Sequence, residues 1–144
     1  GAHAGTFRGN QLAMAAGTVV MNRVSKPEFL EEVREKGKII EERLLALKAK
    51  TKIIGDVRAK GLMIGTEFVN PKGQPDGIGS LPTSGEIAAK VQKICFENGF
   101  VAEKGGRGGS VMRCLCALNI TKDEINTAMD IFEKVVLQVA KEYE

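Results

Sequence analysis

The fold is decided by the stretch Ile53-Ile-Gly-Asp-Val-Arg-Ala-Lys-Gly-Leu-Met-Ile-Gly-Thr-Glu-Phe-Val69. Residues 53–60 are typical of a short extended segment, and residues 62–69 form a second run rich in β-favouring side chains. Gly61 lies between the two runs, where a glycine permits a tight turn or a bulge. The stretch therefore predicts two consecutive strands that are joined at Gly61.

Four helices are predicted around these strands, each from a capping residue and an apolar repeat at helical spacing. The predicted helix starts are Asn10, Ser25, Ser84 and Thr121, and the predicted ends lie near Val24, Lys50, Asn98 and the C-terminus. Two of the starts have the spacing of a capping box, Ser25 with Glu28 and Thr121 with Glu124. Gly37 is expected to be a weak point in the second helix, because glycine disfavours helix interiors.

Two further strands are predicted near the C-terminus, over residues 100–103 and 110–116, with a glycine-rich turn over residues 104–109. Strands that alternate with long helices and meet at hairpin-like joints indicate an α+β fold. The expected architecture is a small, mostly antiparallel sheet that is covered on one face by helices.

The composition is that of an ordinary globular domain. The 144 residues are 43% hydrophobic and 27% charged, with a formal net charge of +3, which indicates neither disorder nor a nucleic-acid footprint. No apolar run approaches the length that spans a membrane. The three cysteines, Cys95, Cys114 and Cys116, lack metal-binding spacing, and we expect reduced packing residues in a cytoplasmic protein. With a single histidine, the sequence predicts neither a metal site nor a catalytic triad.

The N-terminal segment has the sequence Gly1-Ala-His-Ala-Gly-Thr-Phe-Arg-Gly-Asn-Gln-Leu-Ala13. Its small residues allow the backbone to approach a ligand or another chain closely. Its polar residues could hold an anion, because the Thr6 hydroxyl lies just before the free N–H groups of a predicted helix. The alternative is a flexible lead-in that Asn10 caps at the helix N-terminus. The residues alone leave both interpretations open.

The order of residues from His3 to Gly17 resembles the H-x-x-T-F-x-G-N-x-x-x-x-A-A segment of class III aminotransferases, which depend on pyridoxal 5′-phosphate. In that family the segment joins the large cofactor-binding domain to the small C-terminal domain. The resemblance implies that residues 1–24 are a loop and linking helix from the large domain and that residues 25–144 are the small domain. It also implies that Thr6 donates a hydrogen bond to the cofactor phosphate of the other subunit in a homodimer.

Arg113 is a cation within an otherwise apolar predicted strand, where it shares a face with Val111 and Leu115. One interpretation is an arginine on the solvent face, and the other is a guanidinium fork that binds a carboxylate. The segment resembles the family's V-x-R-x-x-P-P-L strand, which implies that Arg113 binds the carboxylate of the amino-acid or 2-oxo-acid substrate. Cys116 and Ala117 replace the usual prolines, so the exit of this strand is expected to differ.

The pattern Gly105-Gly-Arg-Gly-Gly109 lacks the Lys-Ser/Thr of a phosphate loop, and by itself it predicts a mobile hairpin turn. Together with the strand that follows, it resembles diaminobutyrate–2-oxoglutarate transaminases within the class. Arg8 stands where relatives usually have glycine. The expected substrates are therefore 2,4-diaminobutyrate and 2-oxoglutarate, with 4-aminobutyrate or acetylornithine as alternative donors.

The resemblance covers essentially the whole chain and implies that it is a C-terminal piece of an enzyme. The family's cofactor-binding lysine, the Asp that pairs with the pyridine nitrogen and the aromatic that stacks on the ring belong to the preceding domain. We therefore expect these 144 residues alone to be inactive, to bind the cofactor weakly and to self-associate.

Two other classes of function compete with this interpretation. A non-catalytic α+β module for dimerisation or regulation would have the same composition, although the absence of an initiator methionine disfavours it. An RNA-binding sheet needs exposed aromatic side chains, and only 5% of the residues are aromatic. No nucleic-acid or membrane partner is expected.

Overall fold

The computed structural model describes residues 4–144, and that part of the chain has four α-helices and four β-strands. The helices are α1 (Gln11–Val24), α2 (Pro27–Lys48), α3 (Gly85–Glu97) and α4 (Lys122–Tyr143). The strands are β1 (Ile54–Lys60), β2 (Met63–Phe68), β3 (Glu103–Gly105) and β4 (Val111–Leu115). The predicted α+β class is confirmed.

The four strands form one antiparallel sheet in the order β1-β2-β4-β3. The predicted hairpin at Gly61 joins β1 to β2, and Gly61 has a φ of 55°, a conformation that glycine adopts without steric cost. A bulge between Ile54 and Asp56 interrupts the register at the start of β1. The three-residue strand β3 forms one edge of the sheet.

One face of the sheet is buried beneath helices. Strand alternation places Ile64, Thr66 and Phe68 of β2 on this face together with Met112 of β4, and all four side chains are buried. Helix α3 packs against β2, β3 and β4, and it also packs against α4. The apolar repeat of the fourth predicted helix forms the buried side of α4, and its members are all buried: Ile125, Met129, Phe132, Val136 and Val139.

Helix α2 is tied to α4 by Arg43. Its Nε donates to Glu133 at 2.6 Å and its Nη2 donates to Asp130 at 2.6 Å. The hydrogen bond to Glu133 is the main cause of the raised pKa of Arg43, so this cation stays charged at every physiological pH. On the same helix, Ile40, Leu44 and Leu47 are buried.

Gly37 lies where α2 meets the β1–β2 turn. A Cβ atom at Gly37 would lie 2.3 Å from the carbonyl oxygen of Gly61. A glycine that weakens the helix by propensity therefore allows the close approach of two backbones.

Two predicted details are wrong. Ser25 does not cap the start of α2: it is the C-cap of α1, and its hydroxyl donates to the carbonyl of Met21 at 2.8 Å. The third strand begins at Glu103 instead of ending there, so most of the predicted segment 100–103 is irregular. The predicted caps Asn10, Ser84 and Thr121 are confirmed, and Thr121 forms the full capping box with Glu124.

The chain divides into two compact units, Gly1–Val33 and Arg34–Glu144. The first contains α1, none of whose residues is buried. The predicted boundary between residues 24 and 25 stays a prediction. None of the helices in the described part is both long and apolar enough to cross a membrane.

Candidate functional site

The candidate substrate site is on the uncovered face of the sheet, in the second compact unit. Arg113 is at the centre of β4 with an exposed side chain, whereas its neighbour Met112 is buried under the helices. Leu115 is exposed on the same face as Arg113, as the alternation predicts. Val111 shares that face but is buried, and a Cβ atom at Gly106 would lie 2.5 Å from one of its methyl groups.

The register of the sheet places Arg113 between Gly65 of β2 and Glu103 of β3. Its Nη2 donates to Oε1 of Glu103 at 2.5 Å, and both side chains are about half exposed. Gly105 makes room for the guanidinium, because a Cβ atom at that position would lie 2.9 Å from Nη2. The cation is therefore held over the β3 edge of the sheet with solvent above it.

A second arginine on the same face already donates hydrogen bonds to two carboxylates. Arg58 of β1 pairs with Gly65 from the opposite side, and it donates to Asp56 at 2.6 Å and to Glu67 at 3.1 Å. These hydrogen bonds, that to Glu67 first, raise the pKa of Arg58. With two carboxylates on its guanidinium, Arg58 offers less to an anionic ligand than Arg113 does.

An open groove runs along this face from β1 to β4. Arg58, Gly65 and Arg113 line it together with the apolar side chains of Met63 and Leu115. Gly65 leaves the centre of the groove without a side chain. The arrangement can bind a small anion that carries a short aliphatic chain, because the cation and the apolar walls are adjacent.

Thr6 lies in the first compact unit, in an exposed turn over residues 6–9. Asn10 caps α1 directly after the turn, and its side-chain oxygen accepts from the N–H groups of Leu12 and Ala13 at 3.0 and 3.2 Å. The backbone N–H of Arg8 donates to the carbonyl of Gly5 at 3.2 Å. His3 lies outside the described residues.

The loop fits one part of a phosphate site. An exposed threonine hydroxyl can donate to a phosphate oxygen. Asn10 already uses two N–H groups at the helix start, so the helix itself has fewer donors left for an anion. Thr6 therefore fits a single contact to a pyridoxal phosphate, and the rest of such a site needs residues from outside this chain.

Two of the three cysteines have thiols with raised pKa values. All three thiols are free, and burial raises the pKa of Cys95 to about 11. The pKa of Cys114 is also raised to about 11, first by burial and then by its neighbour Cys116. Thiols with such pKa values are protonated at neutral pH and are poor nucleophiles. Residues 4–144 hold no cluster of three or more metal-ligating side chains.

The glycine-rich segment, residues 105–109, connects β3 to β4. Arg107–Gly109 form a 3₁₀ turn between β3 and β4, and Gly106, Gly108 and Gly109 all have positive φ. The N–H of Gly109 donates back to the carbonyl of Gly106 at 3.2 Å. The turn sets the register in which Glu103 meets Arg113.

Sequence reasoning gave Glu103 no role. The predicted strand ended at Glu103, and the sequence alone does not give the pairing that places this carboxylate beside Arg113. A usable signal was present in Gly105, because glycine in a strand often marks the close approach of another group.

The family model for aminotransferase class-III matches residues 1–136. The chain belongs to the class III aminotransferases, a family that depends on pyridoxal 5′-phosphate.

Individual relatives and a solved structure within this family are also similar to the chain. The chain is 45% identical to a diaminobutyrate–2-oxoglutarate aminotransferase of Rhizobium meliloti, over 88% of this chain and 27% of the relative. It is 39% identical to the Haemophilus influenzae enzyme of that name, over 96% of this chain and 31% of the relative. Among solved structures, acetylornithine aminotransferase from Elizabethkingia anophelis superposes with a TM-score of 0.73 at 27% identity, over 96% of this chain and 33% of that one. The chain thus spans about a third or less of the length of these relatives.

Proposed function

We propose that the protein containing this chain is a transaminase that moves an amino group between 2,4-diaminobutyrate and 2-oxoglutarate. The amine that it transfers is the one remote from the carboxylate. The observation that carries the proposal is the exposed guanidinium of Arg113 over an apolar groove. The two relatives at 39% and 45% identity, both named for these substrates, support the choice of donor.

Arg113 binds the substrate carboxylate in this proposal. A guanidinium has five N–H donors in a rigid fork, and the hydrogen bond to Glu103 uses one donor on Nη2. Since the ion pair with Glu103 is exposed, it is weak enough for a substrate to compete with it. The apolar walls formed by Met63 and Leu115 then contact the carbon chain of the substrate.

Thr6 holds the phosphate of pyridoxal 5′-phosphate across a homodimer interface. The bound cofactor supplies the electron sink that amino transfer requires. The hydroxyl of Thr6 restrains one phosphate oxygen, which helps to orient the cofactor ring relative to the substrate. We also propose that the protein is cytoplasmic, in keeping with its free thiols.

The test uses the full-length protein. Its visible spectrum reports bound cofactor, and glutamate formation is measured with 2,4-diaminobutyrate, 4-aminobutyrate and acetylornithine as donors. We expect Arg113→Ala to lower kcat/KM for the preferred donor at least about a hundredfold, because two hydrogen bonds to a charged group are lost. Arg113→Lys keeps the charge without the fork of donors, so its kcat/KM should lie between the values of the unmodified enzyme and Arg113→Ala.

Arg58→Ala is the comparison variant, since it removes the second arginine that lines the groove; its effect on kcat/KM should be smaller than that of Arg113→Ala, because Arg58 is tied to two carboxylates. Unchanged kinetics in Arg113→Ala, or a protein without a cofactor band, would refute the proposed site. Preference for acetylornithine would favour the second candidate, which the solved acetylornithine aminotransferase at 27% identity supports.

A further inference from the structure

Two of the three cysteines lie next to each other at the end of β4. Cys114 is inside the strand and Cys116 directly follows its last residue, and both side chains are half-buried. Residues two apart along a strand share a face, and the thiols of Cys114 and Cys116 are in hydrogen-bonding contact. Cys95, in contrast, is fully buried in α3. The exit of β4 therefore holds an adjacent pair of free thiols.

The backbone at this exit can adjust, because the pairing of β4 with β2 ends at Leu115. Cys116 and Ala117 lie between the strand and a turn over residues 118–119. Cα atoms two residues apart in an extended strand are separated by about 6.6–6.8 Å, which is close to the longest Cα separation across a disulfide, about 6.8 Å. A disulfide between the two cysteines thus needs a shortening of the chain only where strand pairing ends.

We propose that Cys114 and Cys116 are a redox-sensitive pair of thiols that a peroxide converts reversibly into a disulfide. The sulfur of Cys116 attacks one oxygen of hydrogen peroxide, the O–O bond breaks, and a sulfenic acid and one water form. The sulfur of Cys114 then attacks the sulfur of Cys116, and its proton leaves with the departing hydroxyl as a second water. Two thiols and one peroxide therefore yield one disulfide and two waters.

The surroundings of the two thiols decide their order of reaction. Burial first, and then the neighbouring Cys116, raises the pKa of Cys114 to about 11, so this thiol stays protonated and reacts slowly with a peroxide in solution. Its attack on an oxidised Cys116 is intramolecular, and contact between the reacting groups accelerates such a step. A thiol reductant attacks the disulfide and restores both cysteines.

Oxidation reaches the groove on the uncovered face through Leu115. This residue lies between the two cysteines, and its side chain lines the groove together with that of Arg113. Closing the disulfide shortens the chain around Leu115, so the wall of the groove moves. A displacement of about 1 Å at a site can cost up to about a hundredfold in rate. The oxidised enzyme is therefore expected to be less active than the reduced enzyme.

The experiment treats the full-length protein with hydrogen peroxide, blocks the remaining thiols with iodoacetamide and digests the protein with trypsin. Because trypsin cleaves after Arg113 and Lys122, both cysteines fall in one peptide, residues 114–122. We expect this peptide to be two hydrogen atoms lighter than its reduced form and to resist alkylation until dithiothreitol is added. In parallel, kcat/KM for the preferred donor should fall about ten- to hundredfold and recover with dithiothreitol.

Two variants serve as controls under the same treatment. Cys116→Ser removes one member of the pair, so it should form no disulfide and show no loss of activity that dithiothreitol reverses. Cys95→Ala removes the buried thiol of α3 and should behave like the unmodified protein.

The proposal is overturned if peptide 114–122 remains fully alkylated, gains oxygen atoms instead, or is linked to another peptide. An equal, reversible loss of activity in Cys116→Ser would refute the effect on the groove. The mass of the peptide tests the thiol pair whichever donor the enzyme prefers, so a failure of the proposed function is seen separately from a failure of this inference.

Discussion

Thr6 and Arg113, the two proposed site residues, have very different surroundings. Arg113 is an exposed cation whose place on the sheet follows from strand alternation, and its neighbour Met112 belongs to the core. Thr6 is exposed in a short turn, and the described residues around it do not enclose a ligand. The proposed phosphate contact of Thr6 therefore requires further residues from the full-length protein.

We expect Thr6→Val in the full-length protein to weaken binding of pyridoxal 5′-phosphate about tenfold, because valine keeps the shape but removes the donor to a charged phosphate. Titration of the cofactor-free protein, followed by the visible absorption band, measures this. Thr18→Val is the control, since that hydroxyl is bonded to the carbonyl of Met14 within α1. Equal cofactor affinity in Thr6→Val and the unmodified protein would contradict the assignment.

At the scale of elements, the contact between α2 and the β1–β2 turn depends on Gly37. We expect Gly37→Ala to lower the free energy of unfolding by about 1–3 kcal/mol, because the new methyl group overlaps the backbone of Gly61. The overlap outweighs the gain in helix propensity, which is about 1 kcal/mol or less. Denaturant titration followed by circular dichroism measures the change.

Gly17→Ala in helix α1 provides the matched control. Nothing lies within 4 Å of a Cβ atom at Gly17, and α1 is exposed. The same substitution should therefore leave stability unchanged or raise it slightly. If both variants changed the free energy of unfolding by the same amount, the close approach at Gly37 would not contribute to stability.

Local chemistry explains which elements the sequence predicts well. Asn10, Ser84 and Thr121 cap helices because their side chains bond to N–H groups two or three residues away. The hairpin at Gly61 is equally local. The start of β3 was mispredicted because a three-residue edge strand is defined by its pairing with β4, a contact that periodicity does not report.

The same distinction applies to the candidate site. Arg113 is identified from its own strand, as a lone cation among apolar residues. Glu103 is identified only once the register of β3 against β4 is known. The exposure of Arg113 therefore follows from its own strand, whereas the position of Glu103 beside it depends on a neighbouring strand.

At the scale of the whole molecule, the chain corresponds to 27–31% of the length of its relatives. The assignment of residues 1–24 to a linking segment and 25–144 to a small domain stays a prediction. Catalysis is expected only in the full-length protein, where the cofactor and the remaining site residues come together.

We expect the 144-residue polypeptide to self-associate on its own, because α1 exposes several large apolar side chains and exposed apolar patches favour association. Sedimentation velocity over a range of concentrations tests this. The double variant Leu12→Gln with Val19→Gln should shift the polypeptide toward monomer, whereas Phe96→Gln on α3 should not. A monomer at every concentration without any substitution would refute the expectation.

Strand alternation in β4 has a consequence for how such an enzyme can evolve. Met112 packs in the core, and Arg113, the next residue in the chain, is exposed and lines the groove. Substitutions at Met63, Arg113 and Leu115 should change the lining of the groove with little loss of stability, since these side chains are exposed. Along one short strand, residues that maintain the fold thus alternate with residues that line the groove.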